Sequence, residues 1–547
     1  MAKWLFCPAA LAVFLFSHGV RADAVPAPQE ERAVKVMKAD AFAARIDYVI
    51  EAHFKTRSVK PAPLADDAEF LRRAYLDLAG RIPRVSEVYG FLSDKSSDKR
   101  AKLIDSLLDN PRYVLHLSNT WRAMMLPPSN NQQFALAQPS FKLWLDKQVQ
   151  ENVPYDKMVR EILTVPVFGN GMGRGLNPGN FNNAMNPAAF YQANEFKAEN
   201  LAATTSRLFL GVRLECAQCH DHPFAKWTRK QFWEYTAFFS GLQQQQINRP
   251  KLGGQPAPMK APPGRQIAIP GTDKIVQARF LDGEPPAWQD DSDSRAMLAD
   301  WMTSAENPYF TRTAVNRLWG HFFGIGVIDP IDDEPTDENP ASHPELLTLM
   351  TQQFIAHQFD VKFMIRSIML TRAYQRTSAI THPSQNEPRL FARMAVKGLT
   401  PEQLFDSLAQ ATGYQEPLGS ANQRLAVFGG QNNARAEFLQ LFASQDKKTE
   451  THTSILQALA LMNGRFIADA TSLEKSRTLG AIVDAPFPNA QRIETLYLAV
   501  LGRLPRAEEA SRLLAYVNGG GARNDEGAAL ADVFWVLLNS SEFILNH

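Results

Sequence analysis

Tyr75-Leu76-Asp77-Leu78-Ala79-Gly80-Arg81-Ile82-Pro83-Arg84 is echoed near the other end of the chain by Tyr497-Leu498-Ala499-Val500-Leu501-Gly502-Arg503-Leu504-Pro505-Arg506. Each copy ends an apolar helical pattern on a Gly-Arg-x-Pro turn, where glycine closes a helix and proline cannot continue it. The echo goes on: Leu107-Leu108-Asp109-Asn110-Pro111-Arg112-Tyr113 resembles Leu537-Leu538-Asn539-Ser540-Ser541-Glu542-Phe543 at nearly the same offset. Both copies read helix, turn, helices, so the spacing predicts a mainly α fold in which one helical unit is used twice. Arg81 and Arg503 are expected to bond nearby carbonyls or carboxylates, a structural task.

Outward from the first copy, Phe70, Leu71, Ala74, Tyr75 and Leu78 recur at helical spacing over Asp67 to Leu78. Further helices are expected near Val85, from Lys99 to Leu108 and from Pro111 to Met125. From 243 to 292 the composition changes, with eight prolines and two β-like runs, Gln266 to Ile269 and Lys274 to Phe280; this reads as a linker carrying a small β element. Helical patterns resume at Asp293 to Met302 and Thr311 to Phe323, the latter ending in Gly324-Ile325-Gly326. The expected organisation is two helical domains, 36–242 and 293–547, joined by the 243–292 linker. Asp329, Asp332, Asp333, Glu334, Asp337 and Glu338 lack the alternation and central glycine of a calcium loop, so they read as a solvated acidic loop. Ser342-His343-Pro344-Glu345 reads as a capping box opening a helix through Phe354.

The 547 residues are 45% hydrophobic and 21% charged, a globular composition that excludes disorder and collagen-like repeats. Lys3, the apolar run Trp4 to Phe16 and Ala22-Asp23-Ala24 form a secretory signal pattern, with cleavage expected after Ala24 and export to the periplasm or cell surface. The apolar run is too short to span a bilayer, and no transmembrane segment is expected in the mature chain. Loss of residues 1–24 removes Lys3, Arg21 and Asp23 from 58 basic and 57 acidic residues, which leaves a formal charge of zero. A nucleic-acid partner is not expected of such a chain.

Cys7 departs with the signal, so the mature chain keeps only Cys216 and Cys219, both within Cys216-Ala217-Gln218-Cys219-His220. C-x-x-C-H is the arrangement of covalent c-type haem attachment. Residues i and i+3 of a helix share a face, so two thiols can reach the two vinyl groups of one porphyrin edge, and His220 then supplies the proximal imidazole. His222 is too near His220 to reach the opposite face; Met172, Met185 and His321 are the candidate distal ligands, with an open sixth position equally open. Three other readings stand beside haem. The thiols could form a redox-labile disulfide; Cys216, Cys219, His222 and a further residue could hold zinc; or the motif could be an inherited one left empty. Thr228 caps a helix bearing Phe232, Tyr235 and Phe239, with Trp233 and Phe238 alongside, which serves either as plain core or as a porphyrin wall. Phe168 to Pro187, with five glycines and six asparagines, reads as an irregular loop or lid. No G-x-S-x-G, H-E-x-x-H or Ser/His/Asp arrangement is present to nominate a hydrolase nucleophile.

Leu71-Arg72-Arg73-Ala74-Tyr75-Leu76-Asp77-Leu78-Ala79-Gly80-Arg81-Ile82-Pro83 and Phe209-Leu210-Gly211-Val212-Arg213-Leu214-Glu215, running into Cys216 through Phe224, resemble the planctomycete cytochrome-associated domain of unknown function. Val315-Asn316-Arg317-Leu318-Trp319-Gly320-His321-Phe322-Phe323-Gly324 and Ser342 to Leu347 resemble its usual C-terminal partner domain, also uncharacterised. The resemblance implies a helical, exported protein without assigning an activity. Larger members also carry a separate N-terminal cytochrome c domain, which this chain does not show. The combined expectation is an exported c-type-cytochrome-like protein with one haem, serving electron transfer or haem-assisted redox chemistry with an unidentified redox partner or envelope component. The contrasting expectation is a non-redox envelope binding or scaffold protein whose cysteine cluster holds zinc or a disulfide.

Overall fold

A computed structural model describes residues 35–126, 132–167, 185–242, 265–289, 292–415, 434–442 and 465–547. The chain divides into a unit of Met1–Lys35, of which only Lys35 is described, and a unit of Val36–His547, which carries everything below. The expected cleavage site, Met172 and most of the Phe168 to Pro187 loop lie outside the described residues. The fold is mainly α: among the described residues, strands form only two small antiparallel pairs, Gln266–Ala268 with Ile275–Gln277 and Lys397–Gly398 with Leu545–Asn546.

The first repeat starts where Asp66 caps the Asp67–Ala74 helix, its carboxylate accepting from the Glu69 N–H at 2.8 Å. The helix continues as a π turn, Tyr75–Ala79, and stops at Gly80, whose φ of +66° is left-handed. The Lys99–Leu108 and Pro111–Met125 helices occupy the expected spans, the second capped by Asn110. In the second repeat, Asn489–Val500, Ala507–Asn518 and Glu526–Leu538 repeat the order. The likeness reaches individual atoms. Arg81 grips Glu87 through two 3.0 Å bonds and the Ile82 carbonyl at 2.6 Å; Arg503 grips Glu509 at 2.8 and 2.9 Å and the Leu504 carbonyl at 3.0 Å. Each guanidinium also lies 5.3 Å from the ring of Tyr75 or Tyr497. The two arginines thus do the structural work expected of them, fixing the turn and the start of the next helix.

Every residue from Phe70 to Pro83 is buried, charged ones included, because this stretch is the seam between two apolar clusters. Leu71 and Leu78 join a cluster that runs from Phe42 to Met394; Leu76 and Ile82 join one built mainly from Leu404 to Phe543. Arg72 crosses the seam, donating to the Val500, Glu542 and Phe543 carbonyls at 3.2, 3.1 and 2.7 Å, so the two repeats pack on one another. Burial lowers its pKa to about 10, which leaves it charged at neutral pH.

Most of the second cluster comes from beyond Met394, although Leu498 belongs to the first, and the 243–292 segment supplies residues to the first cluster. The β element of that segment forms as a hairpin, but its described part is welded into the core: the Phe280 ring stacks on Phe238 at 5.2 Å and on Trp301 at 5.0 Å, joining the helices before and after it. Helices Ser294–Met302 and Phe310–Phe323 follow, the first capped by Asp293. The expected capping box at Ser342 does not form. The Ser342 hydroxyl donates to the Val327 carbonyl at 3.2 Å, and the Pro344–Ala356 helix starts from His343 without a side-chain cap.

The two equivalent glycines make different demands. A Cβ at Gly80 would stand 2.6 Å from His116 Nδ1, whereas at Gly502 the nearest atom, Pro83 Cγ, is at 3.5 Å. Gly502→Ala is expected to cost about 1–2 kcal/mol, the left-handed backbone penalty alone, and Gly80→Ala about 1–3 kcal/mol more for the overpacked ring. Urea unfolding of the two single variants checks the order.

Candidate functional site

The cysteine motif is carried on a short 3-10 turn, Glu215–Gln218, with Cys219 at its end, and not on the longer helix the spacing suggested. Buried Val212 and Leu214 anchor the approach, and Ala217 is the turn's single inward side chain. The Gln218 carbonyl accepts from Trp233 Nε1 at 3.1 Å. Side chains at i and i+3 of a 3-10 turn eclipse, which sets Cys216 and Cys219 on one side. Both thiols are free and exposed.

His220 Nδ1 lies 2.7 Å from the Asp221 carbonyl. A carbonyl only accepts, so the ring proton sits on Nδ1 and the lone pair is left on Nε2, the tautomer an iron ligand needs. Asp221 is held in turn, its Oδ1 accepting the Arg229 N–H at 2.8 Å. His222 is engaged differently: its Nδ1 accepts from the Phe224 N–H at 3.1 Å, which puts the proton of the neutral ring on Nε2. Neither nitrogen of His222 then offers a lone pair to a metal. Among the described residues, no group of three His, Cys, Asp or Glu is gathered to hold a metal ion, so the zinc set of Cys216, Cys219 and His222 is not assembled.

The aromatic residues that follow are core. The Arg229–Thr236 helix has the Thr228–Gln231 capping box expected of it, and Phe232, Trp233, Tyr235, Phe238 and Phe239 are buried against one another and their neighbours. They support the turn from beneath and present no open wall to a porphyrin. At the surface the turn's apolar neighbour is Phe224, 89% exposed.

The acidic loop differs from the solvated one expected. Asp332 accepts from Arg317 Nη2 and from Arg207 Nη1, at 2.5 and 3.3 Å, and Glu334 accepts from Trp227 Nε1 at 2.6 Å. Two carboxylates are thereby turned inward onto the segments flanking the cysteine motif, while Asp337 and Glu338 stay exposed. Desolvated guanidinium and indole donors draw the carboxylates in, a reason invisible in a run of like charges.

Of the candidate distal ligands, Met185 is 55% exposed. His321 lines a cavity of about 880 Å³ together with His116, Trp121, Tyr155, Arg213 and Arg317. The rings of His116 and His321 lie 6.1 Å apart. Sequence reasoning missed this cavity and His116 altogether, because its walls come from helices that are adjacent only in space. Arg213 stands three residues before Cys216, so chain length alone keeps the Cα of this lining residue within about 11 Å of that of Cys216.

No helix among the described residues is long and apolar enough to cross a membrane. The family model described as PSCyt2, a protein of unknown function (DUF1549), matches residues 45–244. A second, described as PSD1, a protein of unknown function (DUF1553), matches residues 294–517. No curated protein and no solved structure matches the chain. The chain thus carries a DUF1549 domain followed by a DUF1553 domain.

Proposed function

We propose that the Cys216–His220 turn is a covalent haem c attachment site in an exported protein that serves electron transfer or haem-assisted redox chemistry. The observation that carries this reading is the donor set: two free, exposed thiols three residues apart, followed by an imidazole whose Nδ1 is held on a backbone carbonyl. Cys216 and Cys219 would hold the haem by thioethers and His220 Nε2 would face the iron; the haem supplies one-electron chemistry when bound. The Asp221 carbonyl fixes the His220 tautomer, and Asp221 itself is tied to the Arg229 N–H. The signal pattern at the N-terminus supports export, the compartment in which such attachment takes place.

A second reading, a redox-active dithiol, is favoured by the exposure of both free thiols. The two separate in one experiment, an absorption spectrum and haem stain of the chain exported together with haem-attachment machinery. The expected result is a Soret band that stays with the denatured chain, is abolished in Cys216→Ser/Cys219→Ser and persists with an altered spectrum in His220→Ala. A folded but colourless wild-type chain would overturn the haem reading, and thiol titration of that sample would then score the dithiol.

A further inference from the structure

Beside the 880 Å³ cavity lies a second hollow of about 480 Å³, and the two share Asn119 and Glu402 in their walls. The smaller one is lined by Arg112, Arg122 and Arg435 against the carboxylates Glu402 and Asp406, which leaves one positive charge in excess. Asp406 is already committed, bonded by Arg112 Nη1 at 3.1 Å and paired with Arg435 Nη2 at 3.4 Å. Arg122 donates to Gln138 at 3.2 Å and is desolvated enough that burial lowers its pKa. Arg435 Nη1 is buried without a hydrogen-bond partner among the described residues. A buried guanidinium N–H left without an acceptor is costly, and a planar anion is its best complement.

We infer that the two hollows form one binding site for an organic monoanion, its carboxylate held by Arg122 and Arg435 and its apolar body reaching the larger cavity beside His321. A single negative charge neutralises the excess; a dianion would overshoot it. The larger cavity falls within the size range that encloses a small organic ligand, and Trp121, Tyr155 and Phe323 contribute to its wall. The inference does not depend on haem at Cys216 and is scored by binding alone.

The test is isothermal titration of the full chain with octanoate and, as a charge-reversed control, octylammonium. Octanoate is expected to bind and octylammonium not to. Arg122→Gln is expected to weaken octanoate at least about tenfold, the loss of a charge-assisted contact. Ala395→Phe, which adds a ring at the wall of the larger cavity, is expected to weaken it too. Should Arg122→Gln fail to fold, Arg435→Gln carries the same expectation. Absence of octanoate binding at ~1 mM, equal binding of octylammonium, or an octanoate affinity unchanged by the arginine substitution would each overturn the assignment.

Discussion

Asp77→Ala is expected to destabilise the chain by about 3–5 kcal/mol, the largest single effect among the substitutions considered. Asp77 sits in the buried seam of the first repeat. Its carboxylate accepts from Lys397 Nζ at 2.9 Å, from the Tyr374 hydroxyl at 2.9 Å and from Asn546 Nδ2 at 2.7 Å. Lys397 in turn donates to the Phe322 and His321 carbonyls at 2.6 and 3.2 Å, at the C-terminal end of the Phe310–Phe323 helix. With both side chains almost wholly buried, removing the carboxylate strands a desolvated ammonium. Asp77→Ala/Lys397→Met removes both charges and should recover most of the loss, because a matched apolar pair leaves no buried charge behind. Denaturant unfolding of the two variants decides the matter. A double variant no more stable than Asp77→Ala would show that the packing of this pair, and not the stranded charge, sets the cost.

The second large effect is a loss of stability in mild acid that His343→Leu is expected to reduce. His343 is buried, with its ring 4.3 Å from that of His53 and its Nε2 without a hydrogen-bond partner among the described residues. Burial, then the neighbouring His53 and Arg57, lowers its pKa from 6.5 to about 3, against a smaller opposing pull from Glu345. The unfolded chain takes up a proton as pH falls through 6.5, while the folded chain resists until about pH 3. The stabilising difference is thus complete above pH 6.5 and is lost between there and pH 3, at about 1.4 kcal/mol per pH unit. Between pH 7 and pH 4.5 the wild type should lose about 2.5 kcal/mol more than His343→Leu. Parallel slopes for the two chains across that interval would remove His343 from the account.

Local pattern made much of the helical scaffold legible. Lys99–Leu108 and Pro111–Met125 could be placed because apolar residues three and four apart mark one face of a helix, and the start of Arg229–Thr236 because the Thr228 side chain satisfies a free N–H group. The candidate site was legible only as a motif. C-x-x-C-H names the donors but does not say whether they lie on a helix or a turn, which tautomer His220 adopts, or that Phe232 to Phe239 face inward. Ser342 shows the same limit: its hydroxyl suited a helix cap, yet the Val327 carbonyl, fifteen residues away in sequence, claimed it.

What the sequence by itself determined is therefore the helical unit used twice, its Gly-Arg-x-Pro turn with Arg81 and Arg503 bonded to nearby oxygens, and the pairing of cysteines with His220, since each rests on residues within one or two turns of each other. The tertiary structure decided everything that depends on partners hundreds of residues apart. It buried Phe70 to Pro83 as a seam, matched Asp77 to Lys397, turned Asp332 and Glu334 inward and walled the cavity of His116 and His321. Desolvation is the reason for the difference: whether a charge is stranded, paired or left in water depends on what covers it, and the covering groups are chosen by packing and not by sequence neighbours.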